Sequence, residues 1–437
     1  MGDVRPNNFP YRSIDYKWFT PPEAWPDKPY PIYAMGTAYI VSTDLAPKLL
    51  EQSTRMPAFK WEDIYVGILM NQLKVVPYPH IHIDSRGSYR NLCASKSVLA
   101  THGFDSNAFI RYWKGLGINI SEECVGILNE GTIPKFSPRN GFQDLNESHS
   151  TQTEWYSPSV KISSVFRSLP EEVFLLVVVM TTPTQYNYRK YFRIVYGRSS
   201  RVLGQNVIVR FVVDGSSDDS LQKFVLQENE LYGDMVLLKA RGSSNRASQR
   251  LSATLKWAAT MDEPVKFVMV SEITVYVNIE NVVRAAMAAP DKNYVTCHVK
   301  SNSVAVRSKG SPWFVSFEDW EGDVYPPHCT TGTPFVVSFD VVLKMVDVAR
   351  RRPIFKFPDV YMGILLREAN LTLAHQDKFS LQPVNKHIDV LDQHFCHVQT
   401  VFSLQELSPI HVDLILRKAM TQKKQAADSS QREVQTN

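Results

Sequence analysis

Apolar positions in the second half of this chain form two kinds of run that alternate. Val173–Met180 is continuous, rich in β-branched residues and bounded by polar positions. That is the pattern of a parallel strand buried on both faces. Tyr186–Gly197 follows with Tyr188, Tyr191, Phe192 and Val195 at helical spacing. Val207–Val213 reads as the next strand, ending at Asp214-Gly215. Leu221–Tyr232 and Ala247–Thr260 read as helices, with Lys266–Val270 as a further strand between apolar flanks. This alternation predicts an α/β domain with a mostly parallel, twisted sheet. Residues 126–165 differ: Asn140, Gln143, Asn146, Glu147, Ser148 and His149 fall there with little periodicity, which suits a solvated linker. Residues 419–437 read as a polar, disordered tail. Val173–Met180 is the longest apolar run and is far too short to span a bilayer. The opening, Met1 to Asn8, is polar, so neither a signal peptide nor an anchor is expected in it.

Superimposed on this pattern is a repeat. Residues 17–67 contain Lys17-Trp18-Phe19-Thr20, Trp25, Tyr30-Pro31-Ile32-Tyr33, Gly36-Thr37-Ala38-Tyr39-Ile40-Val41-Ser42-Thr43-Asp44 and Glu62-Asp63-Ile64-Tyr65-Val66-Gly67. Residues 312–363 answer with Pro312-Trp313-Phe314-Val315, Trp320, Tyr325-Pro326-Pro327-His328, Gly332-Thr333-Pro334-Phe335-Val336-Val337-Ser338-Phe339-Asp340 and Pro358-Asp359-Val360-Tyr361-Met362-Gly363. Trp to Tyr-Pro is 12 residues in both, and the Ser-x-Asp aspartate precedes the Asp-x-Tyr aspartate by 19 in both. One inserted residue near Thr331 is the only register change, so the chain holds two related units.

These blocks resemble the β-1,3-galactosyltransferase family, whose members carry Lys-Trp-Tyr-Val, Tyr-Pro-Pro-Tyr-Cys-Ser-Gly-x-Gly-Tyr and Glu-Asp-Val-Tyr-Val-Gly stretches in this order. The resemblance implies the nucleotide-sugar-binding glycosyltransferase fold, duplicated, with the first copy present only as its C-terminal half. It divides the chain into a half domain at 1–125, the linker at 126–165, a nearly complete domain at 166–418 and the tail. Family members carry an N-terminal Golgi anchor, so the expectation for this sequence is a truncated gene model or fragment. The implied activity is transfer of galactose or an N-acetylhexosamine from a UDP-sugar to a glycan acceptor, with inversion, at a Golgi membrane or in the secretory lumen. Partnership with other glycosyltransferases, as a homo- or hetero-oligomer, fits the same resemblance.

Inverting transfer needs a counter-charge for the diphosphate and a base for the acceptor hydroxyl. In the family, Mn²⁺ held by Asp-Asp-Asp supplies the first and the aspartate of Glu-Asp-Val-Tyr-Val-Gly the second. Here the frame Lys266-Phe267-Val268-Met269-Val270-Ser271-Glu272-Ile273-Thr274-Val275-Tyr276-Val277-Asn278 puts the three aspartates on Glu272, Ile273 and Thr274. Glu272 is the one carboxylate left as a metal ligand, and loss of hard charged ligands predicts a weakened or absent site. Arg189 and Arg193 echo an Arg-x-x-x-Arg-x-x-Trp-Gly stretch and, with Glu272, Thr274 and Arg250, are the implied donor-binding residues. Asp359 and Asp63 fall on the catalytic base. From the residues alone, Asp359 would cap a helix over Val360–Glu368. Trp313, Trp18, Glu62 and His102 are the implied acceptor-binding residues, the tryptophans as platforms for sugar faces. His102 lies nine residues after Cys93, as in many family members, whereas nine after Cys396 stands Gln405. The eroded donor segment also leaves a second reading, a catalytically inactive binding or scaffold protein that assists an active partner.

Composition adds limits. At 437 residues with 44% hydrophobic content the chain is long enough for two or three domains. A formal net charge of +4 implies no strong field for nucleic acid. Cys93, Cys124, Cys297, Cys329 and Cys396 lack zinc-ligand spacing. The resemblance points to a disulfide from Cys329 to either Cys297 or Cys396. Asn119, Asn146 and Asn370 head glycosylation sequons.

Overall fold

A computed structural model describes residues 1–80, 83–85, 100–101, 155–156, 172–196, 199–238, 246–261, 264–379 and 403–404. His102, Cys93, Cys124, Cys396, Gln405, the tail and most of the expected linker lie outside the described residues. The chain divides into two compact units, Met1–Thr151 with Ser216–Gly233, and Gln152–Gly215 with Asp234–Asn437.

In the first unit, β1 (Gly2–Arg5) pairs antiparallel with β2 (Tyr33–Tyr39), and α1 (Leu45–Ser53) and α2 (Glu62–Gln72) follow. Its small core is Tyr30, Tyr33, Ile64 and Ile68, flanked by Trp25, Met35, Met56, Phe59 and Trp61. Helix α2 crosses β2 at Gly67, where a Cβ would stand 2.4 Å from that of Tyr33.

Among the described residues, the second unit is built on a nine-stranded sheet. Its centre is β3 (Val173–Thr181), with every side chain from Val173 to Val179 at most 7% exposed. An apolar run covered on both faces needs helices on either side, as parallel sheets have. Helix α3 (Tyr186–Tyr196) leads to β4 (Gln205–Asp214), which runs parallel to β3. Helix α4 (Asp219–Tyr232), grouped with the first unit, is capped by Asp218, whose carboxylate accepts the Leu221 N–H at 2.9 Å. It ends at Gly233, whose φ of 63° favours glycine. Strand β5 (Met235–Leu238), helix α5 (Arg246–Ala258) and strand β6 (Val265–Glu272) complete a parallel block ordered β6-β3-β4-β5. Helix α6 (Ile279–Met287) precedes β7 (Val295–Cys297). Strand β8 (Phe335–Ser338) inserts antiparallel between β6 and β7, and β9 (Ala374–His375) closes that side. Helices α7 (Phe339–Arg351) and α8 (Pro358–Glu368) pack on α5, joining Leu251, Val341, Met345, Tyr361 and Leu365 in one core. The expected α/β class holds, with a parallel centre and an antiparallel β8.

Bond by bond, the repeated blocks have the same construction. Tyr11 bridges Phe19 as Val306 bridges Phe314. Arg12 donates to the carbonyls of Thr20 and Trp25, and Arg307 to those of Val315 and Trp320. The Tyr30 N–H donates to Asn8 O, and the Tyr325 N–H to Ser303 O, both at 2.8 Å. Asn7 and Asn302 share a left-handed φ of 57° and 56°. His80 N–H reaches Gly2 O as Gln376 N–H reaches Cys297 O. The correspondence therefore extends from Gly2–His80 to Cys297–Gln376, past the motif blocks at both ends. Cys297 bonds Cys329, which decides between the two expected partners. Gly2 and Ala34 stand at these positions in the first unit, packed so closely that a Cβ on Gly2 would lie 2.8 Å from that of Ala34.

Candidate active site

The carboxyl ends of the parallel strands define one edge of the second unit, where ligands of open α/β sheets bind. Glu272 ends β6 and Asp214 ends β4. Arg250, on the first turns of α5, donates two bonds to Asp214, from Nε at 3.1 Å and Nη2 at 2.6 Å. The same guanidinium stands 3.9 Å from Glu272. Burial raises the Glu272 pKa; Arg250 opposes this and Asp214 adds to it. After Glu272 the chain turns sharply, with Val275 N–H bonding Glu272 O at 3.2 Å. Ile273 is buried in that turn at 3% exposure, and Thr274 is half-buried.

These residues do not fit the family's Mn²⁺. A hard cation needs several free oxygens. Ile273 offers none, and Asp214, the carboxylate whose charge acts on Glu272, is already paired with Arg250. Among the described residues no cluster of three His, Cys, Asp or Glu side chains is arranged to hold a metal.

Arg189 and Arg193, expected at the donor, are instead interior. Arg189 has no exposed surface and donates to Thr181 Oγ1 and to the Thr182 and Pro183 carbonyls. Arg193 makes a buried bidentate pair with Asp234 at 2.7 and 2.8 Å. Both side chains tie α3 to the sheet, a job that the arginine-rich spacing could not be told from ligand binding.

Asp359 reaches the same edge by another route. Phe335, at the start of β8, lies opposite Val270 near the end of β6, so the loop before it projects beyond the parallel strands. Thr331 in that loop donates its hydroxyl to Asp359 Oδ2 at 2.5 Å. Asp359 sits in the first turn of α8 without capping it, since Phe357 is the N-cap and no side-chain cap bond forms. Oδ1 is buried and has no partner among the described residues. His328 stands 4.0 Å from Oδ2 and is itself held by a 2.8 Å bond between Nδ1 and Pro326 O. Trp313 is 53% exposed, with its ring 5.5 Å from that of Phe357, beside this helix start.

In the first unit Asp63 is bound more fully. Its Oδ2 accepts the Gly36 N–H at 3.2 Å and its Oδ1 the Ile64 N–H at 2.8 Å. Burial raises its pKa; the Ile64 bond opposes this and the Glu62 charge reinforces it. Glu62 is exposed over Gly36, and Trp18 is 47% exposed in a cluster with Tyr11 and Tyr16. Asp214, Thr331 and His328 were not singled out from sequence. Asp214 was visible as an acidic residue ending an apolar strand, and Thr331 marks the one register change of the repeat.

The second unit thus carries a parallel sheet with acidic and basic groups at its carboxyl edge, and a carboxylate at a helix start beside that edge. The chain matches the galactosyltransferase family over residues 1–81 and 187–377 and belongs to that family. The two matched segments end at equivalent positions of the repeat. Mouse beta-1,3-galactosyltransferase 1 is 22% identical over 239 residues, covering 54% of this chain and 71% of the relative. Mouse beta-1,3-galactosyltransferase 2 is 34% identical over 125 residues, 28% of this chain and 29% of the relative. Among solved structures, a galactosyltransferase in complex with donor and acceptor sugar analogues aligns with a TM-score of 0.28 at 12% identity, over 54% of this chain and 87% of that one. Among the described residues no helix is long and apolar enough to cross a membrane.

Proposed function

We propose that the second unit transfers a hexosyl group from a UDP-sugar to a glycan hydroxyl, with Asp359 as base and without a bound metal. The first unit, on this reading, is a second copy of the acceptor-side half. One observation carries the proposal. Asp359 has Oδ2 fixed by Thr331, which positions the carboxylate, and among the described residues no donor occupies Oδ1. The acceptor O–H proton passes to the Asp359 carboxylate as its oxygen attacks the anomeric carbon. The bond from that carbon to the diphosphate breaks with its electron pair leaving on the nucleotide, so the configuration inverts. Trp313 offers an exposed ring for the acceptor sugar. Arg250 is the cation at the donor edge, and two carboxylates share its charge. Turnover should therefore be slow.

A second reading, a glycosyltransferase-like binding or scaffold protein, is favoured by Ile273, buried where the family has an aspartate. Golgi residence and association with other glycosyltransferases suit either reading. The experiment is a transfer assay of the full chain with UDP-galactose and UDP-N-acetylhexosamines. Asp359→Asn should lower the rate by about 10²–10⁴, and EDTA should leave it unchanged. Transfer abolished by EDTA would remove the metal-free mechanism. Glycan binding without transfer from any UDP-hexose would establish the scaffold reading instead.

A further inference from the structure

Of the three glycosylation sequons, Asn370-Leu371-Thr372 is the one that falls among the described residues. It follows α8 directly. Asn370 takes a left-handed φ of 54°, and its N–H reaches Arg367 O at 3.1 Å, while the Leu371 N–H reaches back to Leu366 O at 2.9 Å. This closure is a common helix ending that asparagine tolerates. The turn by itself does not call for asparagine. Lys74 stands in the same place after α2, with a φ of 55° and its N–H on Asn71 O at 3.0 Å, and the Val75 N–H reaches Met70 O at 2.8 Å. Val76 stands there in the place of Thr372, so only the second unit carries both polar members of the sequon. Leu371 is 8% exposed and belongs to the core, whereas Asn370 and Thr372 on either side of it are exposed. No described residue bonds the Asn370 amide or the Thr372 hydroxyl. The Cys297–Cys329 disulfide is an independent observation, because such bonds persist in oxidising compartments, the secretory lumen among them, where sequons are glycosylated.

We propose that Asn370 carries an N-linked glycan. The donor class is an oligosaccharide joined to a lipid diphosphate. The Asn370 amide nitrogen bonds to C1 of the reducing-end sugar as the C1–O bond breaks with its electron pair leaving on the lipid diphosphate. One amide proton passes to a base of the transferring enzyme. The folded chain accommodates the product, since a bulky, hydrated glycan at an exposed turn displaces nothing and the buried Leu371 anchors the backbone beneath it. The glycan also spares the candidate active site. Asp359 lies in the first turn of α8 and Asn370 just past its last residue, Glu368, about 16 Å away at the helical rise per residue. The proposal rests on residence in the secretory lumen, not on sugar transfer by this chain.

Peptide mapping by mass spectrometry of the full chain, isolated from the cells that make it, tests this. The tryptic peptide spanning Asn370 should carry a glycan. After digestion with an amidase that releases N-glycans, it should appear with aspartate at that position. Asn370→Gln, made in the same cells, should lower the intact mass by one glycan. Thr372→Val should do the same, and Thr372→Ser should keep the glycan, because the sequon needs a hydroxyl. An unmodified Asn370 peptide from the wild-type chain overturns the proposal, whatever Asn119 and Asn146 carry. An intact mass that keeps every glycan in both Asn370→Gln and Thr372→Val overturns it too. A chain glycosylated at Asn370 that transfers no hexose supports this proposal and counts only against the transfer reading.

Discussion

Arg250 holds a single positive charge between Asp214 and Glu272, and that ratio shapes the carboxyl edge of the parallel strands. The closer and better aligned partner is Asp214, at 2.6 Å against 3.9 Å for Glu272. Glu272 is therefore stabilised weakly while losing part of its hydration, and its pKa rises above the ordinary glutamate value of 4.5. A carboxylate raised on folding contributes stability below its unfolded pKa, and that contribution is lost as pH climbs through the folded value. Glu272→Gln should accordingly raise the melting temperature near neutral pH by about 1–2 °C, a modest gain because the side chain keeps solvent contact. The gain should vanish at about pH 4, where both states are protonated. Thermal unfolding across that range checks the sign, and a substitution that destabilises at neutral pH would show that Arg250's attraction outweighs burial.

Among the elements, tight junctions occur where the middle of a helix crosses the chain of an antiparallel pair. A Cβ on Gly363 of α8 would stand 2.7 Å from Pro327 O and 2.8 Å from the His328 Cβ. Neither can yield cheaply, since one is backbone and the other is fixed to it. Alanine is better than glycine in a helix interior by about 1 kcal/mol, so propensity alone favours Gly363→Ala. Steric overlap should win, with a net loss of about 1–3 kcal/mol in urea unfolding of the chain. The substitution would also press on His328 and so on Asp359, 4.0 Å from it. A stabilised Gly363→Ala variant would mean that α8 slides freely on its strand.

For the molecule as a whole, the two units close equivalent junctions by different means. The Cys297–Cys329 bond spans 32 positions in the second unit, and Gly2 against Ala34 occupies its place in the first. Cross-linking a loop of that size restricts the unfolded chain by roughly 3–4 kcal/mol. Reduction should lower the stability of the second unit by that order and leave the first unchanged. Hydrogen exchange with and without reductant would read the units separately. Equal losses in both would assign the effect to something other than this bond.

Long apolar runs were legible because their period reports burial directly. Val173–Met180, Val207–Val213 and Lys266–Val270 became strands within two or three residues, and Leu221–Tyr232 and Ala247–Thr260 became helices with similar accuracy. The repeat and its family were equally legible, since identity at fixed spacing survives without coordinates. Local sequence carried less about which charges would meet. Arg193 and Asp234 are 41 positions apart, as Arg250 and Asp214 are 36 apart. A guanidinium bound to carboxylate inside the protein has the same local signature as one bound to phosphate. Only the packing of α3 and α5 on the sheet separated the two. The choice of Cys297 over Cys396 and the Thr331 bond to Asp359 were likewise decided by tertiary structure. Each depends on which strand lies beside which, and that is set by burial over the whole sheet rather than by neighbours in the chain.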